Sequence, residues 1–173
     1  MKTLKKLLLI FLGLMLIFFL FLLWYQWQYA MDEVSSYEVN SPDYKKHLLI
    51  ATQGSDFKDM VTNEIVETYK EDSVYIKVID VSALENIDAN DFNAIVILHT
   101  WENWQPPKPV ANFIKNSDTI ADKIIVLTTS GDGNYKMDEV DAITGESIVM
   151  DAPLFADKII KKTNPLLGFK TDR

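Results

Sequence analysis

Three short apolar runs, His47–Thr52, Ala94–Thr100 and Lys123–Thr129, each end in threonine and pass straight into loop residues. An unbroken apolar run of this length, bounded by turn residues, reads as a strand covered on both faces, the kind that builds parallel sheets. The segments between them carry helical periodicity or turn residues. Strands alternating with helices imply an α/β fold with right-handed crossovers. In open sheets of that kind, ligands bind beyond the carboxyl ends of the strands. The loops that follow Thr52, Thr100 and Thr129 are therefore where function is to be sought.

Taken in order, His47–Thr52 is the first strand and Gln53-Gly54 turns the chain. Ser55 or Asp56 can cap a helix, since a side-chain oxygen there accepts a free amide proton of the first turn. Phe57, Val61, Ile65 and Tyr69 recur at helical spacing and form its apolar face. Val74–Val81 alternates, as an edge strand does. Ala83–Phe92 is a short connection, and Ala94–Leu98 a central strand. Trp101, Trp104 and the prolines 106, 107 and 109 make a stiff loop before a helix at Val110–Asn116. After the fourth strand, Lys123–Thr129, comes the loop Ser130–Glu139, and Val140–Thr144 is a fifth strand. Pro153 suits the first turn of a last helix that turns Leu154, Phe155, Ile159 and Ile160 to the sheet. The expectation is a three-layer sandwich around a five-stranded parallel sheet.

The amino-terminal stretch Leu7–Trp24 has no charge and is long enough to cross a bilayer as a helix. Trp24, Tyr25, Trp27 and Tyr29 follow at the level where interfacial aromatics gather. Lys2, Lys5 and Lys6 precede the run, and Asp32 and Glu33 follow it. That asymmetry places the amino terminus in the cytoplasm and the remainder outside. A cleaved signal peptide has a shorter apolar core and small residues at the cut; here bulky Trp27 and Tyr29 crowd Ala30. The expected organisation is an anchor over residues 1–29, a polar tether over 30–46, the domain over 47–163 and a tail over 164–173. The tether's last 16 residues, Met31–Lys46, reach about 50 Å at most if fully extended. The tail carries an apolar Pro165-Leu166-Leu167-Gly168-Phe169, which folds back on the domain or meets a partner.

Charge and composition exclude several functions. The chain carries −8, and the three lysines ahead of Asp32 leave −11 on the rest. So acidic a domain is not built for nucleic acid or for anionic lipid. There is no cysteine, hence no thiol nucleophile, thiolate metal site or disulfide. Asp132, Asp138 and Asp141 do not follow the calcium-loop spacing, because Lys136, Met137 and Ile143 stand where ligands and glycine belong. His47 is expected at the surface near the tether. His99, at the end of a strand, is the one candidate general base. No serine sits in a nucleophile elbow for it to serve.

The strand-end loops carry a resemblance. Thr52-Gln53-Gly54-Ser55, Thr100-Trp101 with Trp104, and Thr129-Ser130-Gly131-Asp132-Gly133-Asn134-Tyr135 resemble the loops of the flavodoxin-like fold over about His47 to Thr163. The resemblance implies FMN held with its phosphate at Thr52, Gly54 and Ser55. It also implies a flavin ring among Thr100, Trp101, Trp104, Thr129, Ser130, Gly131, Asp132 and Tyr135. One departure concerns the phosphate. Asp56 stands where that family has a hydroxyl, at a helix terminus that otherwise attracts anions. Two unit charges ~4 Å apart repel by about 4 kcal/mol at an effective dielectric of 20. Asp141-Ala142-Ile143-Thr144-Gly145-Glu146-Ser147 is in turn similar to the flavinylation motif D-x-x-[ST]-G-A-T, with Ser147 as acceptor and Glu146 in place of alanine. Its other reading is a turn with Gly145 at positive φ.

Two functions stand side by side. In one, the domain is a non-catalytic interaction module with a degenerate flavin site, serving another membrane protein. In the other, it binds FMN between the strand-end loops, or covalently at Ser147, and passes electrons to a redox partner at the membrane.

Overall fold

The computed structural model describes residues 2–28, 31–138 and 140–170. Tyr29, Ala30 and the end of the tail at Arg173 lie outside the described residues, and with them the expectations placed there. The chain divides into two compact units, Met1–Met31 and Asp32–Arg173. In the first, Lys2–Gln28 forms helix α1, about 40 Å long at 1.5 Å per residue. Its stretch Lys2–Tyr25 is long and apolar enough to cross a membrane. Leucine, isoleucine and phenylalanine stand on every side of it, so the helix has no polar face.

The second unit is built on one sheet. Its strands are β1 (Tyr37–Val39), β2 (Lys46–Thr52), β3 (Val74–Asp80), β4 (Ala94–Thr100), β5 (Ile124–Thr129) and β6 (Ala142–Gly145), in the order β1-β3-β2-β4-β5-β6. β2 to β6 run parallel, and β1 lies antiparallel on β3, with Tyr37 opposite Val78. The sheet thus has six strands among the described residues, not five. β3 is not the edge, because β1 covers it. The segment read as a polar tether supplies that extra strand. A three-residue strand with a charged residue at its centre is a suitable edge, since it offers little backbone for unwanted pairing.

The central strands are buried as their composition demands: Leu48, Leu49, Ile50 and Ala51 on β2, and Ile95 through Leu98 on β4, are closed to solvent. Successive residues point to opposite faces. Leu48, Ile50, Val96, Leu98 and Leu127 join helices α2 (Asp56–Tyr69) and α4 (Ala152–Leu166) on one side. Leu49, Ala51, Ile97 and Val126 join helix α3 (Lys108–Lys115) and the 3-10 turn Val81–Asn86 on the other. The result is three layers. Phe57 meets Phe155 edge to face at 5.5 Å where α2 and α4 touch.

Several local expectations change. Leu154, expected against the sheet, is 54% exposed, while Phe155 and Ile159 are buried in the core as expected. Gly145 does not turn at positive φ; Gly133 and Gly168 do. Gly145 lies in β6 with the Phe155 ring packed where a Cβ would stand, so close approach is what requires glycine there. His47 is half-buried, its Nε2 2.6 Å from the Tyr44 carbonyl and its Nδ1 3.0 Å from the Asp91 carbonyl. The tail folds back: Phe169 stacks on Tyr69 at 5.8 Å, under the Lys46 ammonium at 3.7 Å.

Asn40 secures the leading segment at the far end of β3. With φ at +69°, a conformation asparagine tolerates better than most residues, it aims its amide at three carbonyls. Nδ2 donates to Val74 at 2.8 Å and reaches Lys70 at 3.1 Å and Asp72 at 3.3 Å. Asn40→Ala should lower stability by about 2 kcal/mol, from lost hydrogen bonds and a strained backbone. Asn40→Gly, which relieves only the backbone, should recover part of the loss in a thermal melt.

Candidate functional site

The carboxyl ends of β2, β4, β5 and β6 converge as the parallel order requires, and the predicted residues gather there as a polar layer beneath aromatics. Thr52, Thr128 and Thr129 are buried. The Thr100 and Thr129 hydroxyls share a hydrogen bond of 3.0 Å, and the Trp101 N–H donates to the Thr129 carbonyl at 2.7 Å. Ser130 donates from Oγ to Asp132 at 3.2 Å, and its N–H reaches the Gly145 carbonyl at 3.1 Å. These bonds join the β4, β5 and β6 loops into one block. Gly131 and Asp132 are exposed at its rim, as is Ser147, two residues beyond Gly145.

His99 is no general base for solvent chemistry. It is fully buried, and its Nε2 shares a 3.0 Å hydrogen bond with Thr128. Burial pushes the imidazole down to about 4, against a weaker opposite effect of the Thr100 backbone. It is a neutral core group that orders the ends of β4 and β5.

The aromatics meet each other. Trp101 and Tyr135 lie nearly parallel, 8° apart with centroids at 5.9 Å, and Trp104 stands on Tyr135 edge to face at 6.0 Å. Trp101 Nε1 is buried and has no hydrogen-bond partner among the described residues. Trp104 sits at a tight turn in which Glu102 and Gln105 exchange backbone bonds of 3.1 and 3.0 Å. Both central residues, Asn103 and Trp104, have positive φ, at 49° and 63°. That conformation is unusual for so bulky a side chain, and the indole is 81% exposed.

The first loop differs from the pattern read in the sequence. Ser55 is the cap of α2, its Oγ accepting from the Lys58 amide at 3.3 Å. The Gly54 amide donates to the Asp32 carbonyl at 2.9 Å, and Asp32 and Gly54 pair as an antiparallel bridge. A Cβ at position 54 would lie 2.5 Å from that carbonyl oxygen. The leading segment therefore lies directly on the loop and uses its amide.

Gln53, Lys58, Glu102 and Asp32 matter here although none is among the candidate site residues read from the sequence. Gln53 Oε1 accepts from the Thr100 amide at 2.7 Å, tying the first loop to β4. Lys58 is fully buried at the start of α2, and its ammonium donates to Ser55 Oγ at 3.3 Å. Burial pushes it down to about 8, while the Glu102 and Asp59 carboxylates pull it back up. A signal for Lys58 existed: it stands four residues before Thr62 and seven before Ile65, on the inner stripe of the helix.

A cation at a helix amino terminus also opposes the helix dipole. Because the folded state binds this proton less tightly, stability rises with pH between about 8 and the ordinary 10.5. Below that window the cost, on the order of 3 kcal/mol, is fully present. Lys58→Met should raise the melting temperature at neutral pH and flatten the alkaline rise, as replacement of a buried charge by an apolar chain commonly does. An unchanged pH profile would contradict this account of Lys58.

Among the described residues, no cluster of three or more histidines and carboxylates is placed to hold a metal ion. No protein-family model matches the chain, and no curated protein matches it.

Proposed function

We propose that this chain is a single-pass, membrane-anchored protein presenting a flavodoxin-like domain outside the cytoplasm as a non-catalytic interaction module. The strand order supports the fold reading. With the antiparallel β1 set aside, the parallel strands follow 2-1-3-4-5, the order of the flavodoxin-like doubly wound sheets. Orientation rests on the lysines at positions 2, 5 and 6 and the acids after the apolar helix.

One observation carries the module reading: the Asp32 backbone occupies Gly54. A bound phosphate in this fold needs the free amides at that loop and the positive end of the following helix. Here the Gly54 amide is used, and the first turn of α2 carries Asp56 and Asp59. Burial and repulsion from Asp56 hold the Asp59 carboxyl above its ordinary range, so a further anion would meet two mutually repelling acids. Lys58 offers little relief, since its charge already answers Glu102 and Asp59. FMN phosphate does not fit these residues.

A second reading keeps FMN as the ligand of an electron-transfer protein. Its support is the parallel Trp101–Tyr135 pair beside the hydroxyls of Thr100, Thr129 and Ser130. A flat ring between the two needs about 7 Å, twice the van der Waals spacing, so Tyr135 would have to swing outward. Ser147, exposed beyond β6, is the covalent variant of this reading. The two are separated by absorption and intact mass of the full-length protein purified from its own host's membranes. The module reading expects a colourless protein without flavin mass. Flavin absorbance lost on denaturation would replace it with the non-covalent reading, and flavin retained as added mass would point to Ser147.

A further inference from the structure

Resting on the module reading, we propose that the carboxyl-end face of the sheet is the docking surface. Its partner is a protein surface with apolar pockets and lysine or arginine at their rim. Two groups of exposed apolar side chains mark this face. Trp104 projects from its turn, 81% exposed and backed by Tyr135. Across the β6 loop, Ile148 and Met150 are exposed, Met150 at 91%. The two groups are joined: the β5 loop lies so close on the β6 loop that a Cβ at Gly133 would meet Gly145 and Glu146 at 3.1 and 3.2 Å. Exposed tryptophan and methionine are the side chains enriched where proteins meet, and tryptophan commonly dominates the binding energy.

The charge of this face selects the partner. A recess of about 500 Å³ starts at Asp56 and Asp59 and runs along α2 past Met60 and Glu64 to Glu67, with Val149 also lining it, so carboxylates and apolar groups share a single depression. Glu102 and Asp132 on the β4 and β5 loops and Asp151 ahead of α4 are further exposed acids. Lys58, buried at the start of α2, answers Glu102 and Asp59; among the described residues Asp56, Asp132 and Asp151 are in no ion pair. A lysine or arginine of a partner, entering between Asp56 and Asp59 with its apolar neighbours on Met60 and Val149, satisfies both features. Anionic lipid headgroups would be repelled. A second copy meeting through this same face would set its carboxylates against each other.

The test places a photo-crosslinking side chain at Met150 of the full-length protein in its own host's membranes, with the same probe at Lys115 as a control. Lys115 ends α3, at the opposite end of the sheet. The proposal expects one discrete protein adduct from position 150. Trp104→Ala should reduce it about tenfold, as should Asp56→Lys with Asp59→Lys, as for loss of a hot-spot side chain or a close charge pair. The milder pair Asp56→Asn and Asp59→Asn, which keeps the shape of the helix start, should weaken it in the same direction. An adduct to lipid alone, an adduct of twice the protein's own mass, no adduct, or an adduct indifferent to these charges overturns the proposal. An adduct from position 115 and not from 150 overturns this surface while leaving the module reading standing. Flavin in the same preparation overturns the module reading itself.

Discussion

The 2.9 Å hydrogen bond from the Gly54 amide to the Asp32 carbonyl decides how the domain is read. In a doubly wound sheet the first strand-end loop is the natural receptor for a ligand, because its amides point outward with the helix dipole behind them. Here those groups face the chain itself. The leading segment continues from that contact across the sheet. The Val34 amide donates to Asp80 at 3.1 Å, β1 pairs with β3, and Asn40 holds the far end. A stretch of mostly polar residues becomes ordered because its backbone groups find partners at every stage. Unmade, those bonds would leave the Gly54 amide and Asp80 Oδ2 without these partners and β3 without its neighbour.

Electrostatics under the loop fit the same picture. Burying Lys58 beside a helix amino terminus is unfavourable by desolvation and by dipole, and it is balanced locally by Ser55, Asp59 and Glu102. His99 is likewise spent on structure, between Thr128 and the Thr100 carbonyl. Lys58 and His99 thus serve to hold the loops together. The outermost layer at this end of the molecule is made of Trp104, Met150 and exposed carboxylates.

Much of this architecture could be read from residue order. The apolar runs at β2, β4 and β5, the Ser55 cap and the Phe57, Val61, Ile65, Tyr69 stripe are local signals, and they placed those strands and α2 within a residue or two. What could not be read depends on long-range pairing. Nothing in Tyr37–Val39 announces a strand, because an apolar–charged–apolar alternation of three residues is too short to establish a period; its partner lies about forty residues away on β3. Gly54 looked like a phosphate-loop glycine, and only its contact with Asp32 gives it another purpose. Gly145 looked like a turn and is a packing site for Phe155. The aromatics at 101, 104 and 135 were placed correctly at the strand ends, whereas their direct contact with each other followed from loop geometry that no spacing encodes.

Native-state hydrogen exchange of the full-length protein, read at the Gly54 and Val34 amides, tests the central claim most directly. A leading segment integral to the domain predicts that both amides are protected and open only together with β3, as members of one cooperative unit. Exchange at the rate of an unstructured loop, while the β2 and β4 amides stay protected, would mean that the segment does not close the loop. The strand-end site would then be open to a ligand after all.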